Sequence, residues 1–135
     1  MVQKVFAEES QNQDYRLRLR CRGKEARVVL PKSYKQFVTN IGSKAFNDID
    51  GEEGSRATVL PPKKLVFEDC REEGADEEET FKGIMFAVTD HGDAFYFDTR
   101  RGKPDYEVRK HDHEVGSFEP YTKNFVECIK RFAGV

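Results

Sequence analysis

The side chains that could do chemistry gather in the last third of the chain. His91, His111 and His113 are its three histidines, and carboxylates flank them: Asp90 and Asp93 beside the first, Asp112 and Glu114 beside the other two. Imidazoles with carboxylates nearby are good ligands for divalent ions. His111 and His113 stand two apart, so on an extended strand they share a face and could ligate one ion. A metal-dependent hydrolase could be built that way. The same residue types are also ordinary at hairpin ends, where Asp closes turns through its own backbone. No HExxH pair accompanies them. His91, His111 and His113 therefore stand as an alternative metal set, and the expectation is of no resident metal and no other cofactor.

A second group is acidic. Between Glu68 and Glu79 eight of twelve residues are Asp or Glu. Its densest part holds Glu72, Glu73, Asp76, Glu77, Glu78 and Glu79, too many like charges to bury together. Such a run is a solvated loop, or an acidic surface that steers a basic partner. The net charge of −2 hides this polarity. Residues 1–67 carry 13 Lys and Arg against 8 Asp and Glu, net +5; residues 68–135 carry 10 against 17, net −7.

The basic device lies near the start. Tyr15 to Arg22 alternates strictly, which argues a half-buried strand with Tyr15, Leu17, Leu19 and Cys21 inward. Arg16, Arg18, Arg20 and Arg22 would line the other face. They could hold phosphates, or protect a sheet edge by pairing with carboxylates. A nucleic-acid protein is normally basic overall; with a net charge of −2, nucleic acid is not an expected partner.

Other catalytic patterns are missing from the sequence: no G-x-S-x-G elbow, no P-loop, no G-x-G-x-x-G. Asp90 and Asp93 could form a carboxylate pair, but no apolar pocket around them is evident that would raise a pKa. The expectation is a protein that is not an enzyme.

The elements that must position these residues are readable from periodicity. A helix opens at Leu30-Pro31, with proline where its missing N–H costs least. Tyr34, Phe37, Val38 and Ile41 recur at helical spacing, and Gly42 stops it. A second helix is expected from Pro120 to Ala133, its apolar stripe being Tyr121, Phe125, Cys128 and Phe132, widened by Val126, Ile129 and Ala133. Cys128 reads there as a small hydrophobe. Between the helices, Ala57–Leu60 and Lys64–Phe67 are short strand candidates around Pro61-Pro62. Ile84–Thr89, Ala94–Thr99 and Tyr106–His111 form a three-strand meander, its turns at 90–93 and 100–104 of hairpin length. The turn at 90–93 and the end of the third strand meet at one sheet edge. That brings Asp90, His91 and Asp93 toward His111, Asp112 and His113. The apolar run Ile84–Val88 marks a central strand covered on both faces. The fold class is α+β: an antiparallel sheet with amphipathic helices packed on it.

Length and composition set the frame. The 135 residues suit one domain, 1–135. Leu, Ile, Val and Phe number 32, enough to lift the chain above the disordered class. The longest apolar run is five residues, far short of a membrane span of about 20, so no membrane partner is expected. The N-terminus has no apolar signal region. Cys21, Cys70 and Cys128 form no CxxC pair, which excludes a disulfide scaffold or zinc finger and suits a reducing cytosol. The expected location is the cytoplasm.

From residue 30 on, the string resembles a known family. Leu30-Pro31-Lys32-Ser33-Tyr34-Lys35-Gln36-Phe37 is similar to the LP-x-x-Y-x-x-F helix start of the SUKH superfamily, the Smi/Knr group. Gly83-Ile84-Met85-Phe86-Ala87, followed by Asp90-His91-Gly92-Asp93-Ala94-Phe95-Tyr96-Phe97-Asp98, resembles that family's central hairpin. The 111–114 strand end, Ser117-Phe118 and the final helix are similar to its C-terminus. The resemblance covers about three-quarters of the chain.

The resemblance implies a protein-binding module. Bacterial members are commonly immunity proteins that bind and neutralise a cognate toxin domain, and eukaryotic members resemble regulatory scaffolds; neither role needs a catalytic residue. A basic nuclease domain would be a fitting toxin for an acidic surface. The expected contact surface combines Glu72, Glu73, Asp76, Glu77, Glu78 and Glu79 with Asp90, Asp93, Tyr96 and Asp98. A regulatory adaptor with no toxin partner is the other form of the same module.

Overall fold

The computed structural model of the protein describes residues 15–19, 24–71, 80–100 and 103–135. The chain enters as a ribbon of two antiparallel strands, β1 (Tyr15–Leu19) and β2 (Lys24–Val28), with Leu17 opposite Ala26. The alternating arginine segment is thus a strand, and Leu17 is buried as its period of two requires. Arg20, Cys21 and Arg22 lie outside the described residues.

Helix α1 (Lys32–Asn40) follows, with Pro31 at its N-cap. Tyr34 is completely buried, and its hydroxyl donates to the Leu60 carbonyl at 2.6 Å. Phe37 and Val38 pack against the core from the next turn. Ile41, expected to continue this stripe, is instead the C-cap and 58% exposed. The helix stops there because Gly42 turns the chain away at φ 83°.

Two short strands come next, β3 (Lys44–Phe46) and β4 (Ala57–Val59), then β5 (Val66–Cys70). The expected strand at 64–67 is displaced toward the C-terminus. Pro61 and Pro62 set up a 3-10 turn over Pro62–Lys64, which uses up the first of those residues. The meander is as expected: β6 (Phe81–Thr89), β7 (Ala94–Asp98) and β8 (Glu107–Asp112), all antiparallel.

A further strand, β9 (Ser117–Thr122), takes the place of the expected start of the last helix. Helix α2 runs only over Phe125–Phe132. Its start is fixed by Asn124, whose side-chain oxygen accepts the Glu127 N–H at 3.0 Å. Tyr121, Phe125, Cys128 and Phe132 are all buried, so the stripe is real, but Tyr121 reaches the core from a strand. Val126 is 45% exposed and Ala133 is also exposed, so neither widens it.

The strands form one sheet ordered β2-β1-β5-β6-β7-β8-β9, with β1 parallel to β5 where Leu19 faces Phe67. β6 is its axis. One edge pairs with β5 along Phe81–Met85 and with β4 along Ala87–Thr89; the other edge pairs with β7. Both helices lie on the same face. There Phe86 and Phe97 stack at 4.1 Å, and Tyr34 and Phe125 meet edge-on at 5.5 Å. Such aromatic pairs add about 0.5–1.5 kcal/mol each beyond their burial. Alternation along β7 sends Phe95 and Phe97 to the helices and Ala94, Tyr96 and Asp98 to the other face. That second face has its own small cluster of Cys70, Phe81, Ala94 and Tyr96, with Met85, Val88 and Phe118 against it. The architecture is α+β. Among the described residues no helix is long and apolar enough to cross a membrane.

Candidate functional site

Two hairpin ends meet at one corner of the sheet. Asp93, in the β6–β7 turn, donates its N–H to Thr89 Oγ1 at 3.0 Å. Its Oδ1 accepts the His113 N–H at 3.1 Å and lies 2.6 Å from His113 Nδ1; Lys110 Nζ is 3.8 Å from Oδ2. Partial burial works against the Asp93 carboxylate, but the His113 contacts and the Lys110 charge outweigh it and hold its pKa below the usual value. The same contact pushes the His113 imidazole above its ordinary pKa. Asp90 pairs with Arg56 on the adjoining segment at 3.0 Å, both about half exposed.

The structure does not assemble the three imidazoles. Among the described residues, Asp93, Asp112 and His113 form the group whose ligand atoms lie within 4.8 Å of one another. β8 ends at Asp112, so the alternation that would put His111 and His113 on one face stops short of His113. His111 instead packs its ring on Phe118 at 4.5 Å, and His91 is exposed at the turn. The alternative metal set of His91, His111 and His113 is corrected accordingly. Asp93 and His113 already satisfy each other within the remaining group, and Asp112 Oδ1 accepts the Glu114 N–H at 2.9 Å.

The other end of the meander holds a different constellation. Asp98 has no solvent exposure. Arg100 donates from Nε to Oδ1 at 3.1 Å and from Nη2 to Oδ2 at 3.0 Å, while its N–H donates to Oδ1 at 3.0 Å. Arg109 adds Nε to Oδ2 at 3.0 Å and anchors its Nη1 on the Phe118 carbonyl at 3.1 Å. Both guanidiniums lie over the Phe81 ring, at 5.1 and 5.7 Å. Burial opposes ionisation of Asp98, yet the Arg100 hydrogen bonds and the two cationic charges keep its pKa below the ordinary aspartate value. Beside it, the buried Tyr96 donates its hydroxyl to Glu68 Oε1 at 2.6 Å. Tyr96 and Asp98 were expected on a contact surface. They are buried because β7 is interior on both faces, and that expectation is corrected.

Glu72, Glu73, Asp76, Glu77, Glu78 and Glu79 lie outside the described residues. Their flanks, Arg71 and Thr80, place the segment between β5 and β6. It therefore joins the start of β6, whereas Asp90 and Asp93 follow its end. At a rise of about 3.4 Å per residue, the two ends of β6 are about 27 Å apart.

One polar site gave no signal in the sequence. Asp50 Oδ1 accepts from Arg131 Nε at 2.6 Å and from the Tyr121 hydroxyl at 2.9 Å, and Arg131 stacks over the Tyr121 ring at 3.9 Å. Asp48 and Asp50 both sit in left-handed backbone, at φ 53° and 57°, on either side of the fully buried Ile49. The site couples residues 71 and 81 positions apart, which no local pattern could reveal.

Comparison with known proteins adds one positive finding. No curated protein and no solved structure matches the chain. The SUKH_6 family model, described as SMI1-KNR4 cell-wall, matches residues 23–129, from just before β2 into α2. That match spans well over half of the 135 residues, and the chain belongs to the SMI1-KNR4 family of the SUKH superfamily.

Proposed function

We propose that this protein is a non-enzymatic binding module of the immunity type, which captures and neutralises a cognate toxin domain in the cytoplasm. Membership of the SMI1-KNR4 family supports the reading. The observation that carries the choice of partner is charge. Residues 68–135 are net −7, so the partner is a basic domain such as a nuclease. Contact falls at the hairpin corner, where Asp90 and Glu114 are exposed and Asp93 and Asp112 half-buried, or at the acidic segment Glu72–Glu79. An acidic field of this kind raises the encounter rate with a basic partner, as an inhibitor of a lethal enzyme requires.

The test starts from the genes beside this one and a pull-down from the native host. A toxin encoded next door, whose C-terminal domain co-purifies with this chain and loses its activity, is the expected result. Reversing Glu77, Glu78 and Glu79 to Lys should then slow association about tenfold at low salt and much less at high salt. Unchanged association would remove that segment from the contact, and a toxin neighbour that neither binds nor loses activity would overturn the reading.

A further inference from the structure

The helical layer carries a surface of opposite character. Gln36, Phe37, Asn40 and Ile41 form the wall of α1, and Val126, Ile129 and Lys130 the wall of α2, around an open groove of about 300 Å³. Ile41 and Val126 are two of the four large hydrophobic side chains exposed among the described residues, and both fall here. No carboxylate lines the groove. Lys130 also lines a larger recess, of about 530 Å³, whose other walls are Thr122, Lys123, Glu127, Arg131 and Val135; with the Arg131 charge met by Asp50 at 2.6 Å, its free basic character comes from Lys123 and Lys130. Glu127 meets Lys130 only at 3.8 Å, in a half-exposed pair worth little. Arg131 is held in place through its Nε by Asp50 and through its Nη1 by the Tyr121 carbonyl.

We propose that the groove between α1 and α2 is a docking surface for an amphipathic helix of a partner protein, one that carries carboxylates a turn beyond its apolar stripe. The α1 wall runs from Ser33 to Ile41, about 12 Å or little more than two helical turns. An apolar pair at i, i+3 or i, i+4 fits that length, and the groove has room for only a few aliphatic side chains. A carboxylate one turn on then reaches the basic recess. A second copy of this chain is the poorer match, since the linings of its own groove and recess offer Glu127 as their one acidic side chain to a basic recess. The inference goes beyond the toxin reading: it concerns another face, another polarity of partner, and stands whether or not that partner is a toxin.

The test uses the full chain, labelled with ¹⁵N, and a synthetic peptide of about 18 residues. Leucines at i, i+3, i+4 and i+7 are flanked by Glu in one version and by Lys in a control. The Glu peptide should shift the amides of Ile41, Val126, Ile129 and Lys130 saturably, and the Lys peptide should bind at least about tenfold more weakly. Val126→Asp, and separately Lys130→Glu, should each weaken the Glu peptide about tenfold or more while leaving the thermal transition in place. No shifts in the groove at millimolar peptide, equal binding of both peptides, or shifts confined to the sheet face would overturn the proposal. So would a concentration-dependent dimer in sedimentation that Val126→Asp abolishes, because the occupant would then be a second copy.

Discussion

Arg109 crosses from β8 to set its Nε 3.0 Å from Oδ2 of Asp98 on β7, so a carboxylate with no solvent exposure is held by a strand that is not its own turn. Arg100, from the turn, grips the same carboxylate in a fork. Two cations on one buried anion, with Phe81 beneath both, form a built core on the face of the sheet opposite the helices.

Removing the anion should therefore cost heavily. Asp98→Asn removes the buried charge that Arg100 and Arg109 share, leaving Arg109 only its longer contact with Glu107 at 3.6 Å, and breaking a buried pair from one side costs about 3–5 kcal/mol. Urea unfolding should register it. A loss below about 1 kcal/mol would mean that water replaces the carboxylate. The native pKa of Asp98 lies below its unfolded value, so its stabilisation is present above about pH 4 and disappears as pH falls through the depressed native pKa. The variant should lose that acid-side dependence.

His113 gives the opposite sign. Its native pKa is raised by Asp93, so the contribution is complete below the unfolded value of about 6.5 and lost as pH rises through the native one. An NMR titration of the ring carbons should show a midpoint above the usual histidine value. Asp93→Asn should bring the midpoint back down, and a midpoint unmoved by that change would deny the contact its role.

Gly83 is a packing constraint. A Cβ added there would lie 2.7 Å from Cys70 Sγ, 2.9 Å from the Phe81 ring and 3.0 Å from that of Tyr96. Gly83→Ala should destabilise by about 1–3 kcal/mol through overpacking. Combined with Cys70→Ala it should cost less than the sum of the two single changes, a coupling readable in a double-mutant cycle. Strict additivity would show that the crowding is relieved elsewhere.

Thiol chemistry offers a simple check on both faces of the sheet. Burial pushes the thiols of Cys70 and Cys128 well above the ordinary cysteine range, with Glu68 adding to the effect at Cys70. Neither should react with a maleimide in the native protein at pH 7 within the time that both react in denaturant. Native labelling of Cys128 would place α2 off the core.

Local period made much of this legible. The meander, the alternating first strand and the buried stripe of Tyr121, Phe125, Cys128 and Phe132 are all visible in residue spacing; β2, its partner, is not. The spacing reads the last helix six residues too long, five of them at its start, because Tyr121 suits a helical stripe and an inward strand position equally well. Asn124 followed by Glu127 was the available capping signal. Exposure at Ile41 and Val126 was hidden because periodicity names a stripe without saying how far the neighbouring layer extends. Among site residues, the meeting of Asp93 with His113 followed from hairpin geometry. The burial of Tyr96 and Asp98 did not, since it depends on arginines from the β7–β8 region and on Phe81. The parallel pairing of β1 with β5 and the hold of Arg131 on Asp50 are long-range contacts with no local trace.

β6 carries β4 and β5 end to end along a single edge. The β1–β2–β5 wing and the β3–β4 arm thus hang from one common keel, and neither can shelter it once the other has swung open. Breathing at either end exposes half of a strand whose other half stays zipped. Only the stretch around Met85 and Phe86, where the two hand over, is guarded from both directions. The slowest amide exchange in the molecule should mark that seam, and the two wings should open as separate doors on the same post.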